Sequence, residues 1–208
     1  MLHFETVLPS TVRILKELML INEMSAFNLV GGTALALQLG HRISDDIDLF
    51  LDKDFDKKEI IQVLQNTFGD RFVLKSRVTN SLGIFGFIDD IKVDICNHPF
   101  KIVDDVVVVE GIRMWSVKEI AAAKVHAISN RATKKDFWDI DIILDILTID
   151  EIAFLYKEKY EPLLAIGVAQ ILLYFDEADE SNTPNCFLGK TWDQVKSNIK
   201  RKINYQFK

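Results

Sequence analysis

The residues of this 208-residue chain whose types and spacing can do chemistry begin between positions 31 and 48. Gly31-Gly32-Thr33 closes a short apolar run, and Asp46-Ile47-Asp48 opens the next. Two successive glycines let backbone approach an anion, and a helix starting there offers free N–H groups and the positive end of its dipole to a phosphate. Thr33 adds a hydroxyl. Asp46 and Asp48, two apart on a strand, leave the same face roughly 7 Å apart at Cα and can share one cation. Oxygen ligands of this kind suit Mg²⁺ (or Mn²⁺), which binds through few carboxylates plus substrate phosphates. Asp94 is the third candidate ligand. It shares a face with Lys92 and Cys96 in the apolar run Ile91-Lys92-Val93-Asp94-Ile95, where an unpaired acid is costly and calls for a metal or another cation. Each feature alone has an ordinary counterpart, a capped turn or a surface acid. Their combination points to phosphate chemistry.

A second group lies further along the chain. Lys124 and Arg131 are seven apart on an expected helix, so they share a face and can both reach polyphosphate oxygens. A lysine exposed at such a cleft contributes little to the unliganded fold. Asp136 follows Lys134-Lys135 at a helix start, where it either caps the helix or joins the site. His41 and His126 lack a second histidine at ligand spacing and read as structural or substrate-lining. Trp115 and Trp138 read as core, with base stacking open to an exposed ring.

These residues need elements to position them. Periodicity and turn signals predict an N-terminal helix over 10–24, a strand over 27–30, a tight turn and a helix over 33–39. A strand over 47–51, a helix over 56–68, a hairpin over 72–78 and 82–88, and strands over 91–96 and 106–109 follow. Ser116 and Glu119 have capping-box spacing, which starts a helix over 117–131. Helices over 136–147, 151–160, 162–175 and 192–207 complete the chain, with a loop around 182–185. The fold class is α+β, a mixed sheet flanked by helices and followed by a helical C-terminal region. The expected division is a sheet domain with an N-terminal docking helix, 1–114, and a helical domain, 115–208.

Gly31-Gly32-Thr33 followed by His41-Arg42-Ile43-Ser44-Asp45-Asp46-Ile47-Asp48-Leu49-Phe50 resembles the signature of the nucleotidyltransferase superfold. The fuller string is similar to the AbiEii-type abortive-infection nucleotidyltransferase toxins, where Arg-x-Ser/Thr-x-Asp-Ile-Asp follows the glycine turn. Arg42, Ser44, Asp46 and Asp48 fill those places. Lys124-Val125-His126-Ala127, Arg131 and Lys135-Asp136-Phe137-Trp138-Asp139 resemble the later motifs of that family. Tyr174-Phe175-Asp176 and Trp192-Asp193-Gln194-Val195-Lys196 resemble its C-terminal pattern, so the likeness spans about residues 25–203. It implies a cytoplasmic Mg²⁺-dependent enzyme of the EC 2.7.7 type that moves an NMP from an NTP to an RNA or tRNA end or a protein. It also implies the toxin of a type IV, two-gene system with a separate antitoxin.

On that reading Asp46, Asp48 and Asp94 hold metals, and Asp94 activates the acceptor hydroxyl. Gly31, Gly32, Thr33, Arg42 and Ser44 grip the nucleotide, Lys124 and Arg131 counter its charge, and Lys124 and Asp136 complete the catalytic set. Two rivals share the motifs: a small-molecule transferase of the antibiotic-modifying kind, and a catalytically silent nucleotide-binding module.

Composition sets outer limits. The 49% hydrophobic and 27% charged fractions are globular values. The longest apolar stretch, 162–175, is broken by Gln170 and falls short of the roughly 20 residues of a membrane span. The N-terminus shows no signal-peptide pattern, and Cys96 and Cys186 read as reduced thiols. A net charge of −6 opposes a chain coated by nucleic acid, but it is unevenly spread. Residues 141–180 hold ten acids against two lysines, whereas 191–208 hold five basic residues against one acid. Lys196, Lys200, Arg201 and Lys202 are therefore the expected RNA contact, if RNA is the acceptor.

Overall fold

A computed structural model describes residues 1–75, 83–161 and 167–206 of the chain. Strands β1 (Asn28–Leu29), β2 (Ile47–Leu51), β3 (Phe72–Leu74), β4 (Gly83–Ile88), β5 (Ile91–Asn97), β6 (Val107–Val109) and β7 (Ile112–Met114) form one mixed sheet. Their order is β3-β4-β5-β2-β1-β7-β6, with the β2·β5 and β1·β7 pairs parallel and the others antiparallel. Helices α1 (Pro9–Met19), α2 (Gly31–Leu39) and α3 (Lys57–Phe68) interleave with the strands. Helices α4 (Val117–Asn130), α5 (Lys134–Ile143), α6 (Ile149–Tyr160), α7 (Val168–Leu173), α8 (Asp176–Asp179) and α9 (Trp192–Gln206) follow. The mixed sheet with a helical C-terminal region is the expected α+β class.

The alternation of side chains decides which face carries the site. Ile47, Leu49 and Leu51 of β2 and Ile91, Val93 and Ile95 of β5 are buried in the core. A period of two then sends Asp48 and Phe50, and Lys92, Asp94 and Cys96, to the opposite face. The parallel register sets Asp48 directly beside Asp94.

Local chemistry fixes several boundaries. Asp56 caps α3 by accepting from the Lys58 and Glu59 amides, and Ser116 caps α4 from the Glu119 amide. Thr148 and Glu151 form a reciprocal capping box, so α6 starts two residues before the expected position. The N-terminal helix ends at Met19, and a separate 3₁₀ turn covers Asn22–Met24. Strand β7 carries no alternating pattern long enough to notice, being three residues of a hairpin with β6. The helix expected over 136–147 runs from Lys134 to Ile143, and that expected over 162–175 is represented by α7. Residues 76–82 and 162–166 of the expected hairpin and helix lie outside the described residues. Among the described residues no helix is long and apolar enough to cross a membrane.

Candidate active site

The glycine turn is built around two close approaches. Gly31 opens α2 with φ +67°, and a Cβ there would sit 3.0 Å from Asp48 Oδ2. Only glycine takes that conformation without strain and lets the carboxylate stand against the turn. At Gly32 a Cβ would lie 2.2 Å from Arg42 Nη2. Arg42 cannot swing aside, because Nε and Nη2 donate to Asp139 at 2.6 and 2.9 Å and Nη1 donates to the Ile43 carbonyl at 3.0 Å. Gly32→Ala is therefore expected to cost about 1–3 kcal/mol through overpacking against a fixed guanidinium, read as a lowered denaturation midpoint. A wild-type midpoint would show that Arg42 is free to move.

Thr33 is 1% exposed and does not face the cleft. Its hydroxyl donates to the Asp46 carbonyl and pairs with Ser44 Oγ at 2.9 Å, holding the loop that delivers Asp46 and Asp48. The expected phosphate contact through Thr33 is thus replaced by a structural one.

A cleft of about 320 Å³ opens beside the turn. Its lining brings together Gly31, Gly32, Arg42, Ser44, Asp46, Asp48, Asp94, Lys124, Arg131 and Asp136, every sequence-predicted site residue except Thr33. Lys135, Cys96, Phe50, Phe85 and Trp115 also line it and were not assigned to the site from sequence. Phe50, Phe85 and Cys96 follow from strand alternation once the core face is known, whereas Trp115 lies just beyond the end of β7. Burial, with Asp94 and Asp48 nearby, pushes the Cys96 thiol up to about 12, so it stays protonated near neutrality.

The three acids are held differently. Burial raises the Asp48 carboxyl above its usual range, and Asp94 and Asp46 add to this while Lys92 and Lys124 oppose it. Lys92 Nζ donates to Asp94 Oδ2 at 2.5 Å, whereas Asp94 Oδ1 is buried without a hydrogen-bond partner. Among the described residues no group of three His, Cys, Asp or Glu side chains is already arranged to hold a metal ion.

Opposite the sheet, Lys124 departs from the exposed lysine expected. It is 7% exposed, and its Nζ reaches Asp139 Oδ2 at 2.6 Å and Asp136 Oδ1 at 2.9 Å. Burial opposes its charge, but Asp139 and Asp136 outweigh that and hold the ammonium protonated. Asp136 also accepts from Thr133 Oγ1 at 2.6 Å, so it both steadies the start of α5 and pairs with Lys124. Arg131 is exposed, and neither it nor Lys135 has an ion-pair partner among the described residues. They form a cationic mouth.

Asp139 was not assigned a role from sequence. It is fully buried and takes hydrogen bonds from Arg42 and from His41 Nε2 at 2.7 Å, besides the Lys124 ammonium. Burial opposes its charge, yet Arg42 and Lys124 hold its carboxyl well below the ordinary range. Its position three after Asp136 on one helix was the available signal.

The C-terminal basic row is mostly neutralised at home. Lys196 pairs with Asp179 at 3.0 Å, and Lys202 pairs with Asp141 at 2.9 Å and Asp145 at 2.8 Å. Of the expected RNA contacts, Lys200 and Arg201 remain without an ion-pair partner among the described residues. Lys202→Ala leaves the buried Asp141 with Lys190 alone, so the expected result is about 1–3 kcal/mol of lost stability by chemical denaturation. An unchanged midpoint would return Lys202 to the pool of free cations.

The sequence profile of "Nucleotidyl transferase AbiEii toxin, Type IV TA system" matches residues 13–165. A protein of Aquifex aeolicus (strain VF5), aq_aa25, is 30% identical over 183 residues, covering 85% of this chain and 86% of its own. The fold is similar to that of MenT4, a nucleotidyltransferase toxin of Mycobacterium tuberculosis H37Rv, with TM-score 0.61, 12% identity and coverage of 95% and 82% of the two chains. It is also similar to a candidate nucleotidyltransferase of Helicobacter pylori, with TM-score 0.60, 16% identity and coverage of 94% and 91%. The third similar structure is ANT(2")-Ia in complex with adenylyl-2"-tobramycin, with TM-score 0.50, 18% identity and coverage of 72% and 95%.

Proposed function

Because the chain belongs to the AbiEii family of nucleotidyl transferase toxins of type IV toxin–antitoxin systems, we propose that it moves a nucleoside monophosphate from an NTP to the end of an RNA, releasing pyrophosphate. The observation that carries this reading is the register of Asp48 beside Asp94, facing the glycine turn on one side and Lys124 across the cleft. A cognate antitoxin is the partner that the family implies.

The donor set suits a divalent cation held partly by its substrate. Asp94 Oδ1 is a buried oxygen with no partner, Asp48 is its register neighbour, and Asp46 lines the same cleft. Asp46, Asp48 and Asp94 would hold the ion, with nucleotide phosphates completing its shell, as Mg²⁺ prefers. Bound there, Mg²⁺ supplies charge stabilisation at the transferring phosphorus and alignment of the attacking oxygen.

This chain's own residues do the rest. The free amides at the start of α2 receive phosphate oxygens, helped by its dipole. Arg42 and Lys124, ion-paired with Asp139 and Asp136, line the cleft in a fixed arrangement that needs no reorganisation, and Arg131 and Lys135 draw anionic substrates to the mouth. Asp94 takes the proton from the acceptor hydroxyl as the new phosphoester bond forms and the bond to pyrophosphate breaks. Phe50 and Trp115, packed edge to face at 5.6 Å, offer an apolar wall to a base.

An unpaired Arg131 and Lys135 at the mouth favour a polyanionic acceptor over a cationic drug. The test is incubation of the purified protein with each α-labelled NTP, Mg²⁺ and total cellular RNA. Label on RNA is the expected result. Label on protein or on an added aminoglycoside would replace RNA as acceptor, and no label on any acceptor would leave a silent nucleotide-binding module.

A further inference from the structure

Lys92 lies among the candidate metal ligands, and no step of the proposed reaction uses it. Strand β5 places it on the same face as Asp94, two residues on, and its neighbour across β4 is Phe87. Its ammonium is 2.5 Å from Asp94 Oδ2. Asp48 and Asp46 are near enough for their charges to act on it as well. A surface lysine facing open water would have no reason to fold back over a half-buried strand. This one pairs directly with Asp94, and its charge offsets the repulsion between Asp94 and its register neighbour Asp48.

The charge balance gives the arrangement a consequence. Three carboxylates and one ammonium leave two negative charges, the complement of one divalent ion. Without the ammonium the same acids would attract that ion more strongly, since the Coulomb attraction at these separations is large even in a partly hydrated cleft. Asp94 is the point of competition. One of its oxygens is held by Lys92, and the other is buried and unpartnered.

We infer that Lys92 is the resident counter-cation of the carboxylate site, competing with a divalent ion for Asp94 and keeping divalent-ion affinity low until nucleotide phosphates add their own charge. Lys92 is thus a positioning residue, acting through Asp94 and not on the reacting atoms. The inference rests on the reading of Asp46, Asp48 and Asp94 as the metal ligands.

The experiment is Mn²⁺ titration of the full, nucleotide-free chain, with free Mn²⁺ followed by electron paramagnetic resonance. Lys92→Met is expected to tighten the first Mn²⁺ by about tenfold or more, because a neighbouring like charge is removed. Lys92→Arg, which keeps the charge, should stay at the wild-type affinity. Lys58→Met, an exposed site on α3, supplies the control for loss of one surface charge and should also stay there. The Lys92 side chain is 36% exposed, so its loss leaves the core untouched. Equal affinity in wild type and Lys92→Met, tightening by Lys58→Met to the same extent, or tightening by Lys92→Arg would overturn the role of Lys92 while leaving the ligand set standing. Absence of Mn²⁺ binding in wild type and Lys92→Met alike would overturn both.

Discussion

Asp48→Asn is expected to lower nucleotide transfer by about a thousandfold or more while the protein stays folded, with a melting temperature equal to or above that of wild type. The two halves of this result have one cause. Burial and the adjacent Asp94 and Asp46 disfavour the charged form of Asp48, so in the unliganded protein its charge is a cost. Asparagine fills the same volume, keeps the packing against Gly31, and removes the repulsion. What it loses is the anionic oxygen that an ion and a phosphoryl group require. The sign of the linkage agrees. A carboxyl whose pKa is raised on folding disfavours the fold once it ionises, so the stability advantage of Asp48→Asn should be largest near neutral pH and vanish in acid. Transfer rates with labelled NTP and thermal melts at several pH values test both halves. Wild-type turnover in this variant would falsify the assignment of Asp48, and a melt several degrees lower would mean that its carboxylate is structurally paired.

The largest stability effect is expected at Asp139. Removing this carboxylate leaves Arg42 and Lys124 buried with Asp136 as the remaining counter-charge, and a broken buried ion pair typically costs about 3–5 kcal/mol. Asp139→Ala should therefore lose that much in urea unfolding, approaching the whole stability of an ordinary domain. Asp139→Asn keeps the shape and part of the hydrogen bonding and should fall between the two. Because Arg42 and Lys124 hold Asp139 well below the ordinary carboxylate value of 3.8, its stabilising contribution is complete above that value and fades as pH falls towards the folded pKa. The gap between wild type and Asp139→Asn should accordingly narrow below about pH 4. A constant gap down to acid would mean that the carboxylate acts through packing alone. Lys124→Met belongs to the same prediction: a buried lysine between two acids costs stability when lost, unlike the exposed lysine expected from its helix position.

The sequence by itself determined the parts of this site that depend on near neighbours. The glycine pair before α2, the two-residue spacing of Asp46 and Asp48, the alternation in β5 and the capping residues of α3 and α4 are local, because dihedral preference and side-chain period act within a few residues. The family likeness rested on strings as local as these: the glycine turn, the run from His41 to Phe50, and the later motifs around Lys124, Asp136 and Trp192. Tertiary structure decided what depends on which distant segments meet. The sheet order and the parallel pairing that sets Asp48 beside Asp94 come from crossover connections, which leave no local trace. The same applies to charge. Thr33 reads as a phosphate ligand until Asp46 and Ser44 occupy its hydroxyl, and Lys124 reads as exposed until Asp136 and Asp139 close over it. Lys196 and Lys202 read as an RNA contact until Asp179, Asp141 and Asp145 neutralise them. A side chain's type limits what it can bind, but its partners are chosen by burial. A buried charge must be paired with whatever the fold brings within reach, and that choice is made across the 97 positions separating Arg42 from Asp139 rather than within either motif.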